Sequence, residues 1–85
     1  FNPETWIPFE LAEASAVTIQ VYDTAGGIVR TLDLGYREPG AYASRDAAAY
    51  WDGRNDLGET SASGVYYYRI QAGGFSETRR FLLLK

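Results

Sequence analysis

The side chains able to do chemistry gather in one short stretch. Asp52, Asn55, Asp56 and Glu59 follow one another between Trp51 and Thr60. Two carboxylates held at a set separation across a groove can hydrolyse a glycosidic bond. Asp52, Asn55 and Asp56 with a backbone carbonyl could also hold calcium irregularly. An EF-hand loop needs oxygen ligands at positions one, three and five and a glycine at six. Counted from Asp52, the third residue is Arg54 and the sixth is Leu57, so that pattern fails. The competing reading is local: Asp and Asn bond their own backbone two residues on, and Gly58 can take a left-handed conformation. The expectation is a hairpin or corner connection that needs no metal.

Nucleophilic catalysis has little to work with. The chain has no His and no Cys. A Ser–His–Asp triad is therefore impossible, and zinc loses its commonest ligands. A Ser–Lys pair, or an internal isopeptide bond, would have to use Lys85, the single lysine and the last residue. No catalytic, cofactor-binding or metal-binding residue is expected, and no enzyme. Aromatic residues are the other resource: seven Tyr, four Phe and two Trp. Tyr36, Tyr42, Tyr50 and Tyr67 stand where strand parity or a loop could expose them to a sugar ring or a protein. The alternative is that a cysteine-free core needs its aromatics for packing.

The elements that must position these groups are strands. Ile7, Phe9 and Leu11 alternate, with Pro8 on the opposite parity, which places that strand at an edge or sheet margin. Val17, Ile19 and Val21 alternate against Thr18 and Gln20. Gly26-Gly27 turns the chain into a strand over 28–34, and 35–40 reads as a loop. Between 41 and 51 a strand and one helical turn through Ala47-Ala48-Ala49 are equally compatible with the residues. Tyr66, Tyr68 and Ile70 share the inner face of the strand over 64–72, Gly73-Gly74 is a second hairpin turn, and the last strand runs from Phe75. There Phe81 and Leu83 are expected inside. Leu82 and Leu84, with Lys85, then form an unusually apolar outer face that fits a protein partner. The whole reads as an all-β, immunoglobulin- or fibronectin-like antiparallel β-sandwich of about six or seven strands.

Eighty-five residues make one domain, 1–85. A chain of this length buries only about 60–65% of its unfolded surface, too little to shape a deep cavity as well. The net charge is −3 and the seven Arg are scattered, which argues against nucleic acid. No run approaches a membrane span. The opening Phe1-Asn2-Pro3 looks like the middle of a motif, so the chain is expected to be the C-terminal part of a larger exported protein.

One pattern spans nearly the whole chain. Ile7-Pro8-Phe9-Glu10-Leu11 is followed by Tyr22-Asp23-Thr24-Ala25-Gly26, then Trp51-Asp52-Gly53-Arg54-Asn55-Asp56-Leu57-Gly58. Ala62-Ser63-Gly64-Val65-Tyr66-Tyr67-Tyr68-Arg69-Ile70 comes next, and the chain closes on Thr78-Arg79-Arg80-Phe81-Leu82-Leu83-Leu84-Lys85. This resembles the Ig-like domain of the flagellar hook-capping protein and the type A C-terminal sorting domains of the type IX secretion system. Residues 41–50 depart from it by being longer than the usual stretch before Trp-Asp-Gly. The resemblance implies a non-catalytic sorting or attachment domain of a secreted or cell-surface bacterial protein, whose partner is the secretion machinery or a surface scaffold. A purely structural scaffold or adhesin module, and a carbohydrate-binding module, are the alternatives.

Overall fold

Strand parity organises the molecule. In a computed structural model that describes residues 5–44 and 47–84, Val17, Ile19 and Val21 lie fully buried along β3 (Ser15–Tyr22). Their polar neighbours point the other way, because successive side chains of a strand face opposite sides of the sheet. The same alternation buries Tyr66, Tyr68, Ile70 and Ala72 on β7 (Gly64–Ala72). Together with β4 (Ile28–Arg37) and β8 (Phe75–Leu83), these strands make a four-stranded antiparallel sheet in the order β4-β3-β7-β8. Two short antiparallel pairs supply the other layer. One joins β1 (Thr5–Ile7) to β6 (Ala49–Trp51), and the other joins β2 (Phe9–Leu11) to β5 (Gly40–Tyr42). Their Ile7, Phe9, Leu11, Ala49 and Trp51 close one core with the inner residues of the large sheet. The architecture is an all-β immunoglobulin-like sandwich.

Three features depart from the sequence expectation, each for a local reason. The first strand is split at Pro8, which has no N–H to give a ladder. Before it the chain pairs with β6, after it with β5, while Ile7, Phe9 and Leu11 still all point inward. The strand after the first hairpin does not stop at Leu34 but continues to Arg37. It does so through an irregularity at Gly35, whose φ of +72° few other residues adopt and whose N–H donates to Asp33 Oδ1 at 3.1 Å. Between 41 and 51 both open readings hold in part. A short strand enters at Gly40–Tyr42, Ala47 and Ala48 N–H both donate to Ser44 O in a single turn, and β6 follows. Among the described residues the strands number eight.

Trp51 is completely buried and packs edge-on against Tyr66 and Phe81, with ring centroids 5.7 and 5.8 Å away. Tyr66 reaches back four residues to donate its hydroxyl to Ala62 O at 2.7 Å. This is the arrangement of a tyrosine corner, which fixes the approach to the strand.

Candidate functional site

The Asp52–Gly58 loop is built by its own side chains. Asp52 Oδ1 accepts the Arg54 N–H at 2.9 Å, and Asn55 Oδ1 accepts those of Leu57 and Glu59, both at 2.9 Å. The indole N–H of Trp51 donates to Arg54 O at 2.9 Å, pinning the loop to the core. The two carboxylates considered as calcium ligands or as a catalytic pair turn to a cation the chain itself provides. Arg30 Nη1 lies 3.0 Å from Asp52 Oδ1 and donates to Arg54 O at 3.0 Å, and its Nε is 3.7 Å from Asp56 Oδ1. The loop also lies along the outer side of β4. Asp56 N–H donates to Val29 O at 3.0 Å, and Asp56 Oδ1 accepts Thr31 N–H at 3.1 Å. Among the described residues no group of three or more acids could hold a metal ion. This stretch is a structural clamp, and the residue that organises it, Arg30, was not singled out in the sequence. Its only signal there is parity: pairing with Val21 puts a charge on an otherwise apolar inner face.

The outer face of the large sheet is more telling. Read across the register, one row is Ile28, Tyr22, Tyr67 and Arg80, and the next holds Val65 and Leu82. Further along, the rows are Thr31, Gln20, Arg69 and Thr78, then Asp33, Thr18, Gln71 and Ser76. One end of the face is therefore apolar and aromatic apart from Arg80, and the two rows after it are polar. Leu82 and Leu84 are 61% and 73% exposed and Ile28 is 55% exposed. Leu83 is buried and Phe81 packs on the core, so the parity expected for the last strand is the parity found. Lys85 lies outside the described residues.

The aromatic candidates do not form one platform. Tyr42 stacks on Phe9 at 4.7 Å between ring centroids, and Tyr50 leans on Trp6 at 5.2 Å. Tyr36 is exposed at the opposite end of the outer face, beside Ala16 and beyond the polar rows, and of the four candidates only Tyr67 belongs to the apolar end. On the inner side of β8, Phe75, Glu77 and Arg79 line a groove of about 530 Å³ against Pro8, Phe9 and Glu10 of the other layer. Burial beside it pushes the Tyr68 phenol up; Arg79 opposes this and Glu77 adds to it. Among the described residues no helix is long and apolar enough to cross a membrane.

Comparison with known proteins decides the family. The model of the FlgD Ig-like domain matches residues 5–74. This chain belongs to the FlgD Ig-like domain family. A solved structure with the same fold is FlgD from P. aeruginosa, with a TM-score of 0.71 at 23% identity over 98% of this chain. The chain spans about 60% of that protein's length. No curated protein sequence matches it. The family match bears out the hook-capping half of the resemblance and leaves the sorting half without support. Within this FlgD Ig-like domain, the matched residues take in the Arg30 clamp and Trp51. They stop at Gly74, before β8 and its exposed leucines.

Proposed function

We propose that this domain is a non-catalytic attachment module of an exported protein assembly. It would dock a protein partner on the apolar end of the outer face of its large sheet. The observation that carries this reading is the clustering on that face: Tyr22, Ile28, Val65, Tyr67 and Leu82 fall in two adjacent rows that hold one charge, Arg80, with Leu84 just beyond β8, and the two rows that follow are polar. Contiguous exposed apolar surface on a small domain marks an interaction site. Family membership supports a structural role, since a FlgD Ig-like domain is a module of a larger protein. The finer form of the proposal is that the partner is the outer-membrane secretion machinery, which would read the domain as a sorting element on a secreted or surface protein. The resemblance to sorting domains and the exposed Leu82 and Leu84 favour it.

Two measurements separate these forms. A photocrosslinker placed at Leu82 or Tyr67 in the parent protein should capture a protein neighbour, and one at Tyr36 should not. Equal capture from all three positions would defeat the docking surface. For the sorting form, the domain is fused to a reporter in a type IX-secreting host. Delivery should depend on Leu82 and Leu84, and an intact fusion that is never delivered leaves only the attachment role.

A further inference from the structure

The free edge of β8 is complementary to itself. Among the described residues no strand pairs with its outer side, so nine consecutive residues end the sheet. The β7–β8 hairpin closes through Gly73 and Gly74, with Ala72 opposite Phe75 and a φ of +60° at Gly73, as in a two-residue type II′ turn. The residues flanking such a turn form a hydrogen-bonded pair, and pairs alternate from there. Phe75, Glu77 and Arg79 therefore give their backbone groups to β7. Ser76, Thr78 and Arg80 turn theirs to the open side. An unpaired row of this kind is a template for another strand.

We infer that this edge pairs antiparallel with the β8 of a second copy about a two-fold axis at Thr78. In that register Thr78 faces Thr78 of the second copy and exchanges backbone hydrogen bonds with it. Glu77 faces Arg79 and Arg79 faces Glu77, so one ion pair forms twice by symmetry on the inner face. Phe75, 51% exposed in the monomer, faces Phe81. In the single chain Glu77 and Arg79 already bond each other two residues apart, Nε to Oε1 at 2.6 Å, and hold their charges beside the open edge. A slip that moves the axis to Glu77 or to Arg79 would set Glu77 against Glu77 or Arg79 against Arg79, so charge selects the register centred on Thr78. The contact is isologous, the commonest closed symmetry for identical chains, and it continues the four-stranded sheet across the axis. It uses the strand edge, whereas the proposed partner surface is the outer face, so either can fail alone.

Sedimentation velocity of the 85-residue chain from micromolar to near-millimolar concentration should show a reversible monomer–dimer equilibrium. E77R and R79E each put like charges opposite one another at both symmetric positions and should weaken the dimer at least about tenfold. The double variant E77R/R79E restores opposite charges and should restore dimerisation. Thermal melts establish that each variant is folded. In the unmutated chain, amide exchange at Thr78 and Arg80 should slow as concentration rises, with Thr31 as an unchanging control. A wild type that stays monomeric throughout overturns the inference. So does dimerisation that survives either single reversal undiminished, or a double reversal that stays as weak as the singles.

Discussion

The large sheet has two edges, and the chain treats them in opposite ways. On the β4 side, the loop after Trp51 lies along the strand. Asp56 uses its backbone N–H on Val29 O and its carboxylate on Thr31 N–H, and Arg30 ties Asp52 and Asp56 to the sheet. On the β8 side no described element covers the strand. A nine-residue edge left open is a hazard for a free-standing domain. The covered edge shows that this fold has the means to close one. The difference points to the β8 side, and the apolar end of the face beside it, as the surface through which the domain meets other chains.

Breaking the covered edge tests the first half of that contrast. Trp51→Ala should have the largest effect, about 3–5 kcal/mol of lost stability in a urea melt. It empties the space between Tyr66 and Phe81 and releases the indole hold on Arg54 O. A loss under about 1 kcal/mol would mean that the ring is not the core element its burial implies. Arg30→Ala should follow at about 1–2 kcal/mol, because the guanidinium contacts are charge-assisted but only partly buried. Arg30→Lys should recover part of this and not all, since an ammonium cannot reach Asp52, Asp56 and Arg54 O with one planar fork. Asp56→Ala should cost about 1 kcal/mol. Its specific signature is faster amide exchange at Thr31 with little change at Ile19, in the middle of the sheet. Unchanged exchange at Thr31 would show that the loop does not protect the β4 edge.

The parts of this arrangement that were legible beforehand are those governed by period and turn chemistry. Alternation alone placed Val17, Ile19, Val21, Tyr66, Tyr68, Ile70 and Leu83 inside, and the glycine pairs located both hairpins. Parity also separated Leu82 from Leu83, although the run 81–84 is uniformly apolar. What could not be read were partnerships between segments distant in sequence. Nothing local to Pro8 says that the two sides of it join different strands, and nothing in Asp52 or Asp56 says that their cation is Arg30, 22 residues away from the first. Gly35 misled for the opposite reason. A glycine in a run of loop-like residues reads as a terminator, yet its positive φ lets β4 bulge and continue. The segregation of the outer face emerged only once register was known, because its rows draw on four strands.

The open side gives the smallest expected change in stability and the sharpest test of the contrast. Leu82→Ser with Leu84→Ser removes two side chains that are 61% and 73% exposed and take no part in the core. Exposed substitutions away from caps and networks usually stay within about 0.5 kcal/mol. The thermal midpoint should therefore barely move, whereas Phe81→Ala, next to Leu82 in the chain, should lower it clearly by opening space beside Trp51 and Tyr68. Dimerisation through β8 should also persist in the double serine variant, since Thr78 and the Glu77–Arg79 pairs are untouched. Capture of a protein neighbour by a photocrosslinker at Tyr67 should fall, because the apolar row beside Tyr67 has lost its Leu82. If capture is undiminished while the midpoint holds, the leucines are solvent-facing strand residues with no recognition role. The partner surface would then have to lie elsewhere on the domain. If the midpoint itself drops as far as in Phe81→Ala, the two leucines carry part of the fold, and the outer face at this end is not free for a partner at all.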